Sequence, residues 1–279
     1  MRIFDFDEQL IPLDEWVQSA VDWLVLNYRE FFQMLKAPIE LCLNGLEWLF
    51  TSLPPSILII LFAFAAWRYA GKGVTVFTVL TFLLIGYLGL WDATMITLAM
   101  VISSVFFCAL VGIPLGIMSG RNDRFEVFLR PFLDAMQTIP PFVYLVPVVM
   151  LFSIGTVSGI LATIVFALPP IIRLTNLGIR QVHPELVEAA LAFGATSKQV
   201  LFKVQFPLAL PSIMAGLNQT LMMALSMVVI AALIGAGGLG NPVVQGLNTL
   251  EIGLATIGGL SIVLLAMVLD RITQGFGTK

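Results

Sequence analysis

Apolar residues along this chain come in long runs separated by short charged interruptions. Residues 95–118 are 24 positions without a charge, and an α-helix needs about 20 to cross a bilayer core. Residues 135–172 run for 38 more. At 1.5 Å per residue that is about 57 Å, nearly twice a ~30 Å hydrocarbon core, so this run must turn. Gly155-Thr156-Val157-Ser158-Gly159 is the obvious corner. It predicts spans over 141–154 and 160–177. Further spans are predicted over 212–234 and 252–269, the last closed by Asp270 and Arg271. Two shorter runs, 54–67 and 74–90, sit near the ~17-residue lower limit and are joined tightly through 68–72, which predicts a helical hairpin. The expected total is seven spans, a hairpin of two followed by five.

The first 52 residues differ, with nine acids and three bases. Trp16, Val17, Ala20, Trp23 and Leu24, then Phe31, Leu35, Ile39, Leu43 and Leu46, recur near helical spacing. This predicts one or two amphipathic helices lying on a membrane surface or against the bundle. A surface helix that only packs is the plainer alternative. The expected organisation is an extracellular or interfacial segment 1–53, a hairpin 54–90 and a five-span core 91–279.

Composition agrees with a membrane protein. The chain is 59% hydrophobic and 11% charged, where soluble domains run near a quarter charged. A net charge of −3 leaves no nucleic-acid footprint. Cys42, Cys108 and the single His183 have no metal-ligand spacing, and no disulfide is expected between the two cysteines. The acidic, mixed start has no basic region followed by an apolar one, so no secretory signal is expected. The Gly-rich stretch 235–240 lacks the preceding strand and the Gly-Lys-Ser/Thr of a phosphate cradle; a flexible outer loop is expected there.

Basic residues give the orientation. With the C-terminus in the cytoplasm, eleven of the fourteen Lys and Arg fall inside. Only Arg2, Arg29 and Lys36 fall outside, together with the acidic N-terminal segment. The polar stretch 185–211 then faces the cytoplasm.

That stretch is unlike its surroundings. Pro184 suits a first helical turn, and Glu185 and Glu188 are expected in that turn, at the positive end of the dipole. Ala189, Ala190 and Ala192 give a small-residue surface. Gly194 reads as the stop, and Thr196 or Ser197 as the next N-cap.

Glu188-Ala189-Ala190, three residues, Gly194, nine residues, Val204, one residue, Phe206-Pro207 resembles the EAA signature of ABC importer permeases. Val204 and Phe206 depart from the usual Ile and Leu, and the spacing is kept. More narrowly, the stretches 112–119, 130–141 and 234–240 resemble glycine betaine/proline betaine importer permeases, and the acidic N-terminus fits that subfamily. The resemblance implies an all-α type I importer permease, with a five-helix core plus an N-terminal hairpin, in a prokaryotic cell membrane. It implies a coupling loop at 180–211, with Glu185, Glu188, Ala189, Ala190, Gly194, Ala195 and Thr196 meeting a cytoplasmic ATPase. Glu188 is the residue expected to cap or pair within that loop; a carboxylate that only opposes the dipole is the alternative.

The resemblance further implies two ATPase subunits, an extracellular substrate-binding protein, and a second permease copy, simplest as a homodimer. ATP and Mg would sit on the ATPase, since this chain has no Walker motif and calls for no cofactor of its own. Membrane lipid is the remaining partner. No Asp, Glu, Lys or Arg falls in the middle of a core span, which argues against a proton relay or ion-coupled carrier. It suits a zwitterion whose quaternary ammonium prefers aromatic faces. Asn218, Gln219, Thr220, Met222, Met223 and Ser226 are candidates for lining a low-affinity cavity, with interhelical packing as the equal alternative. Other solutes (choline, proline, methionine or an anion) and an ATP-independent channel remain open. A membrane enzyme lacks any Ser-His-Asp set or metal cluster.

Overall fold

The computed structural model describes residues 12–277. Arg2, Lys279 and the first part of the acidic N-terminal segment lie outside the described residues. Within them the regular elements are helices.

The first helix, α1 (Leu13–Ser52), runs 40 residues and bends at Tyr28. Its early half leaves Leu13, Trp16, Val17 and Trp23 exposed. Its later half buries Ile39, Leu43 and Phe50 against the bundle. The chain then turns by 108° into α2 (Pro55–Tyr69). Gly71, at φ +91°, reverses it into α3 (Lys72–Tyr87). The two pack as a hairpin, with the Phe62 and Phe82 rings 5.0 Å apart.

The central helices follow. These are α4 (Trp91–Arg121), α5 (Asp123–Thr138), α6 (Pro141–Phe152) and α7 (Thr156–Arg180). Next come the short helices α8 (Pro184–Ala192) and α9 (Ser197–Val200), and a π turn over Leu201–Gln205. The chain ends with α10 (Phe206–Ala232), α11 (Gly240–Thr249) and α12 (Ile252–Gly277).

Helices α4, α7 and α10 form the centre. Gly112, Gly116 and Gly120 line one stripe of α4, and α7 lies directly on it. A Cβ at Gly116 would stand 2.5 Å from Thr175 Cβ and 2.8 Å from the Ile172 carbonyl oxygen. A Cβ at Gly216 of α10 would stand 3.1 Å from Ile171 Cδ1, a looser but still close approach. Small residues bring the backbones together, because lipid gives apolar helices no hydrophobic reason to associate.

Four stretches are long and apolar enough to cross a membrane: α4, α7, α12 and the continuous Ser197–Ala232. The expected spans at 54–67, 74–90 and 141–154 fall instead on helices of 15, 16 and 12 residues. Those reach about 18 to 24 Å, short of a ~30 Å core. Helix α6 meets α5 at 100°, and α2 meets α1 at 108°, so each can cross only as part of a broken pair.

The Gly-rich stretch 235–240 is not a flexible outer loop. Gly235, Gly237 and Gly238 adopt positive φ in a tight turn that buries Ala236 and Leu239. The Leu239 N–H donates to the Thr97 hydroxyl of α4 at 2.8 Å. The glycines serve close approach to α4, a cause invisible in the local sequence.

Candidate functional site

One end of the bundle gathers the ends of α4 and α7 and the starts of α5 and α9. Arg180 pairs with Asp123 at 2.7 Å and Glu126 at 3.1 Å, and donates to the Ser119 carbonyl at 2.9 Å. Arg173 pairs with Asp134 at 2.6 Å and donates to Gln137 at 2.7 Å. The Arg121 guanidinium donates to the Ser197 hydroxyl. Single exposed pairs contribute about 0–1 kcal/mol. Here they act as a network that fixes α5 against α7, just before the loop.

The loop carries two complete caps. Pro184 opens α8 at N1, with Glu185 in the first turn. At the other end Gly194 stands at φ +83°. The Ala195 N–H bonds to the Ala190 carbonyl at 3.0 Å, and the Gly194 N–H to that of Leu191 at 2.9 Å. This pair of bonds is a Schellman ending, with Ala190 and Ala195 half-buried. Thr196 then makes a capping box. Its hydroxyl accepts from Gln199 N–H at 3.4 Å, and its own N–H donates to Gln199 Oε1 at 2.8 Å. Thr196, not Ser197, is the cap.

Glu188 departs from expectation. Because α8 begins at Pro184, Glu188 is its fifth residue and lies beyond the first turn. Its side chain is exposed and has no hydrogen bond or ion pair among the described residues, so it caps nothing here. It points outward with Glu185 and Ala189.

No residue of α8 is buried. An isolated nine-residue helix is marginal in water, so its caps and the lean of Val187 toward α9 hold it. Phe193 follows α8 directly and is 93% exposed, with Leu191 exposed beside it. Sequence reasoning passed over Phe193. An aromatic immediately before a helix-ending glycine, in an otherwise polar loop, was the available signal.

After the caps the chain widens into the π turn, closed by Phe206 N–H to the Leu201 carbonyl. Pro207 has no N–H to give, and a π turn absorbs such a mismatch. The loop thus runs without a break into α10.

On α10, Ala215, Gln219, Met222 and Ser226 form an exposed stripe. Asn218 lies beside it, half-buried, and joins Asp270 of α12 at 2.8 Å. Met223 turns the other way and packs against the cluster around Cys108 and Ile171. Thr220 is fully buried, donating to the Ala167 carbonyl at 3.0 Å. The polar mid-section therefore divides: Gln219, Met222 and Ser226 face outward, whereas Thr220 and Met223 serve packing.

The family described as Binding-protein-dependent transport system inner membrane component matches residues 112–278. The chain belongs to that family. The match begins in α4 and takes in the capped loop and all the helices that follow it.

This inner membrane component is 53% identical to the Glycine betaine/proline betaine transport system permease protein ProW of Escherichia coli (strain K12), over 98% of this chain and 77% of that one. It is 45% identical to the Glycine betaine transport system permease protein OpuAB of Bacillus subtilis (strain 168), over 96% of this chain and 95% of that one. Among solved structures it resembles a chain of the MetNI methionine ABC transporter in inward-facing conformations. That match has a TM-score of 0.55 and 29% identity, over 65% of this chain and 89% of that one. The all-α type I importer permease fold expected from the sequence is the one observed.

Proposed function

We propose that this chain is the permease subunit of an ATP-driven importer of glycine betaine or a related compatible solute, working in osmoprotection. Similarity over nearly the whole chain to permeases named for glycine betaine carries this reading.

In the proposed assembly two ATPase subunits sit in the cytoplasm and hold ATP and Mg. This chain needs no cofactor. An extracellular binding protein selects the solute, and a second copy of the chain completes the pathway. The N-terminus lies outside and the C-terminus inside. The clustering of Arg121, Arg173, Arg180 and Lys198 toward the capped-loop end supports that orientation. The membrane-spanning helices leave too little soluble mass for a nucleotide site, so energy must arrive by contact. The exposed α8 is the natural receiver, with Glu185, Glu188 and Ala189 as its outward face. ATP closes the ATPase pair, α8 moves as a rigid body, and the continuous connection into α10 rocks the core.

Uptake of labelled glycine betaine into vesicles, with ATPase and binding protein present, tests the function. Uptake is expected only with ATP. Uptake without ATP would favour a channel. ATPase activity stimulated by a different loaded binding protein, without betaine uptake, would keep the mechanism and discard the solute.

The loop's exposed face gives a separate expectation. Phe193→Ser and Glu188→Ala remove nothing buried, so thermal stability should change by about 0.5 kcal/mol or less. Phe193→Ser should nevertheless weaken co-purification of the ATPase about tenfold or more, as loss of an exposed aromatic anchor does. Glu188→Ala should weaken it less. Undiminished co-purification of Phe193→Ser would remove Phe193 from the interface.

A further inference from the structure

Helices α10 and α12 border a cavity of about 530 Å³, within the usual size of small-ligand sites. Met214, Asn218, Gln219, Met222, Thr273 and Gln274 line it. Three of these are organised by one carboxylate. Asn218 Nδ2 and Gln274 Nε2 each donate to Asp270 Oδ1 at 2.8 Å. The Thr273 hydroxyl lies 2.5 Å from Asn218 Oδ1.

Asp270 Oδ1 takes both amides, and Oδ2 receives no donor among the described residues. No Lys or Arg pairs with Asp270 among them. The carboxylate stands about 27 Å along α12 from Ile252, behind the cavity wall. That is near the end of a ~30 Å core, where the half-buried carboxylate can keep its charge and lend a negative field to the wall it backs. The sequence placed Asp270 after the last span, because the apolar run stops there. In the structure α12 continues to Gly277 and presents Asp270 to α10.

We propose that this cavity is a low-affinity subsite for a small zwitterion bearing a quaternary ammonium group, with Asp270 as its fixed counter-charge. The proposal rests on the betaine function above. A trimethylammonium group has no N–H to donate. It needs a nearby negative charge and polarizable apolar contact. Asp270 supplies the first, from behind the wall that the Asn218 and Gln274 amides form. Met214 and Met222 supply the second. The carboxylate of the solute needs donors. Gln219, exposed and unpartnered among the described residues, and the remaining N–H of Gln274 supply them. Asp270 does not line the cavity itself; it positions the Asn218 and Gln274 amides and sets the sign of the local field.

The test reads that field. Gln219→Cys is made in a Cys42→Ser, Cys108→Ala background and assembled with ATPase and binding protein in vesicles. It is labelled with a trimethylammonium-ethyl methanethiosulfonate and, separately, a sulfonatoethyl methanethiosulfonate. Relative to a free small thiol, the cationic reagent should gain about tenfold over the anionic one. Asp270→Asn should return the ratio to that of the free thiol, and millimolar glycine betaine should slow the cationic reaction. Labelling should also block uptake. A ratio like that of the free thiol, or one that survives Asp270→Asn, overturns the proposal. Labelling that blocks uptake without any cation preference does so too, while leaving the betaine function standing. Cation preference without an effect on uptake places the cavity off the pathway and also overturns it. Met222→Cys on the same wall gives the same readout should Gln219→Cys fail to assemble. Betaine uptake by the unmodified complex is measured alongside, so failure of the broader function is seen separately.

Discussion

Gly194→Val is expected to abolish most ATP-dependent uptake while leaving the bundle folded. The reason is conformational. Gly194 holds φ at +83°, and a Cβ there would meet nothing within 4 Å. Space is therefore no obstacle, and the backbone alone is. A left-handed residue with a Cβ costs about 1–2 kcal/mol, and a β-branched side chain is the poorest choice there. The strained loop can relax by giving up the Ala195–Ala190 and Gly194–Leu191 bonds. Each contributes about 0.5–1.5 kcal/mol. Helix α8 buries no residue fully, so it has little else to hold its end in place. A frayed α8 cannot transmit a rigid-body displacement. Gly194→Asn is the control, since Asn tolerates the left-handed region. It should keep most of the uptake. Equal loss in both variants would refute the backbone argument, and full uptake with Val would refute α8 as the coupling element.

The second large effect is on folding. Gly116→Leu should leave almost no assembled protein in detergent extracts, read by size-exclusion yield and thermal unfolding. The added Cβ would meet the Ile172 carbonyl oxygen at 2.8 Å, and backbone does not yield as a side-chain tip does. Overpacking of this kind costs about 1–3 kcal/mol and occasionally more. Here α4 and α7 must separate, so the upper end is expected. Gly45 offers the contrast, because nothing lies within 4 Å of its Cβ position. Gly45→Ala, inside α1, should stabilise by about 0.5–1 kcal/mol. A well-assembled Gly116→Leu protein would mean that the two helices do not touch along this stripe.

These two glycines also separate what was legible from what was not. Gly194 was read from its neighbours alone. A short helix opened by Pro184, a glycine, then Thr196 and Ser197 as cap candidates form a run of local signals. The structure spells it out as a Schellman ending and a capping box. Gly112, Gly116 and Gly120 take their meaning from partners on α7 more than fifty residues away. The same distance in sequence separates Asn218 from Asp270. Phe193 was missed for another reason: exposure is a property of the folded surface, and its place before a helix-ending glycine is only an indirect mark of it.

Read alone, the sequence determined the long apolar runs, the helix caps, the spaced loop motif and hence the family resemblance. Each depends on residues within a few turns of one another, where chain connectivity enforces the geometry. The tertiary structure decided which faces meet. It turned the Gly-rich stretch 235–240 inward onto Thr97, and it divided the polar mid-section of α10 into an outward stripe and a packed face. It also cut three expected spans short at sharp bends or tight turns. Those outcomes depend on close approach between distant helices, and close approach is set by the shape of both partners at once.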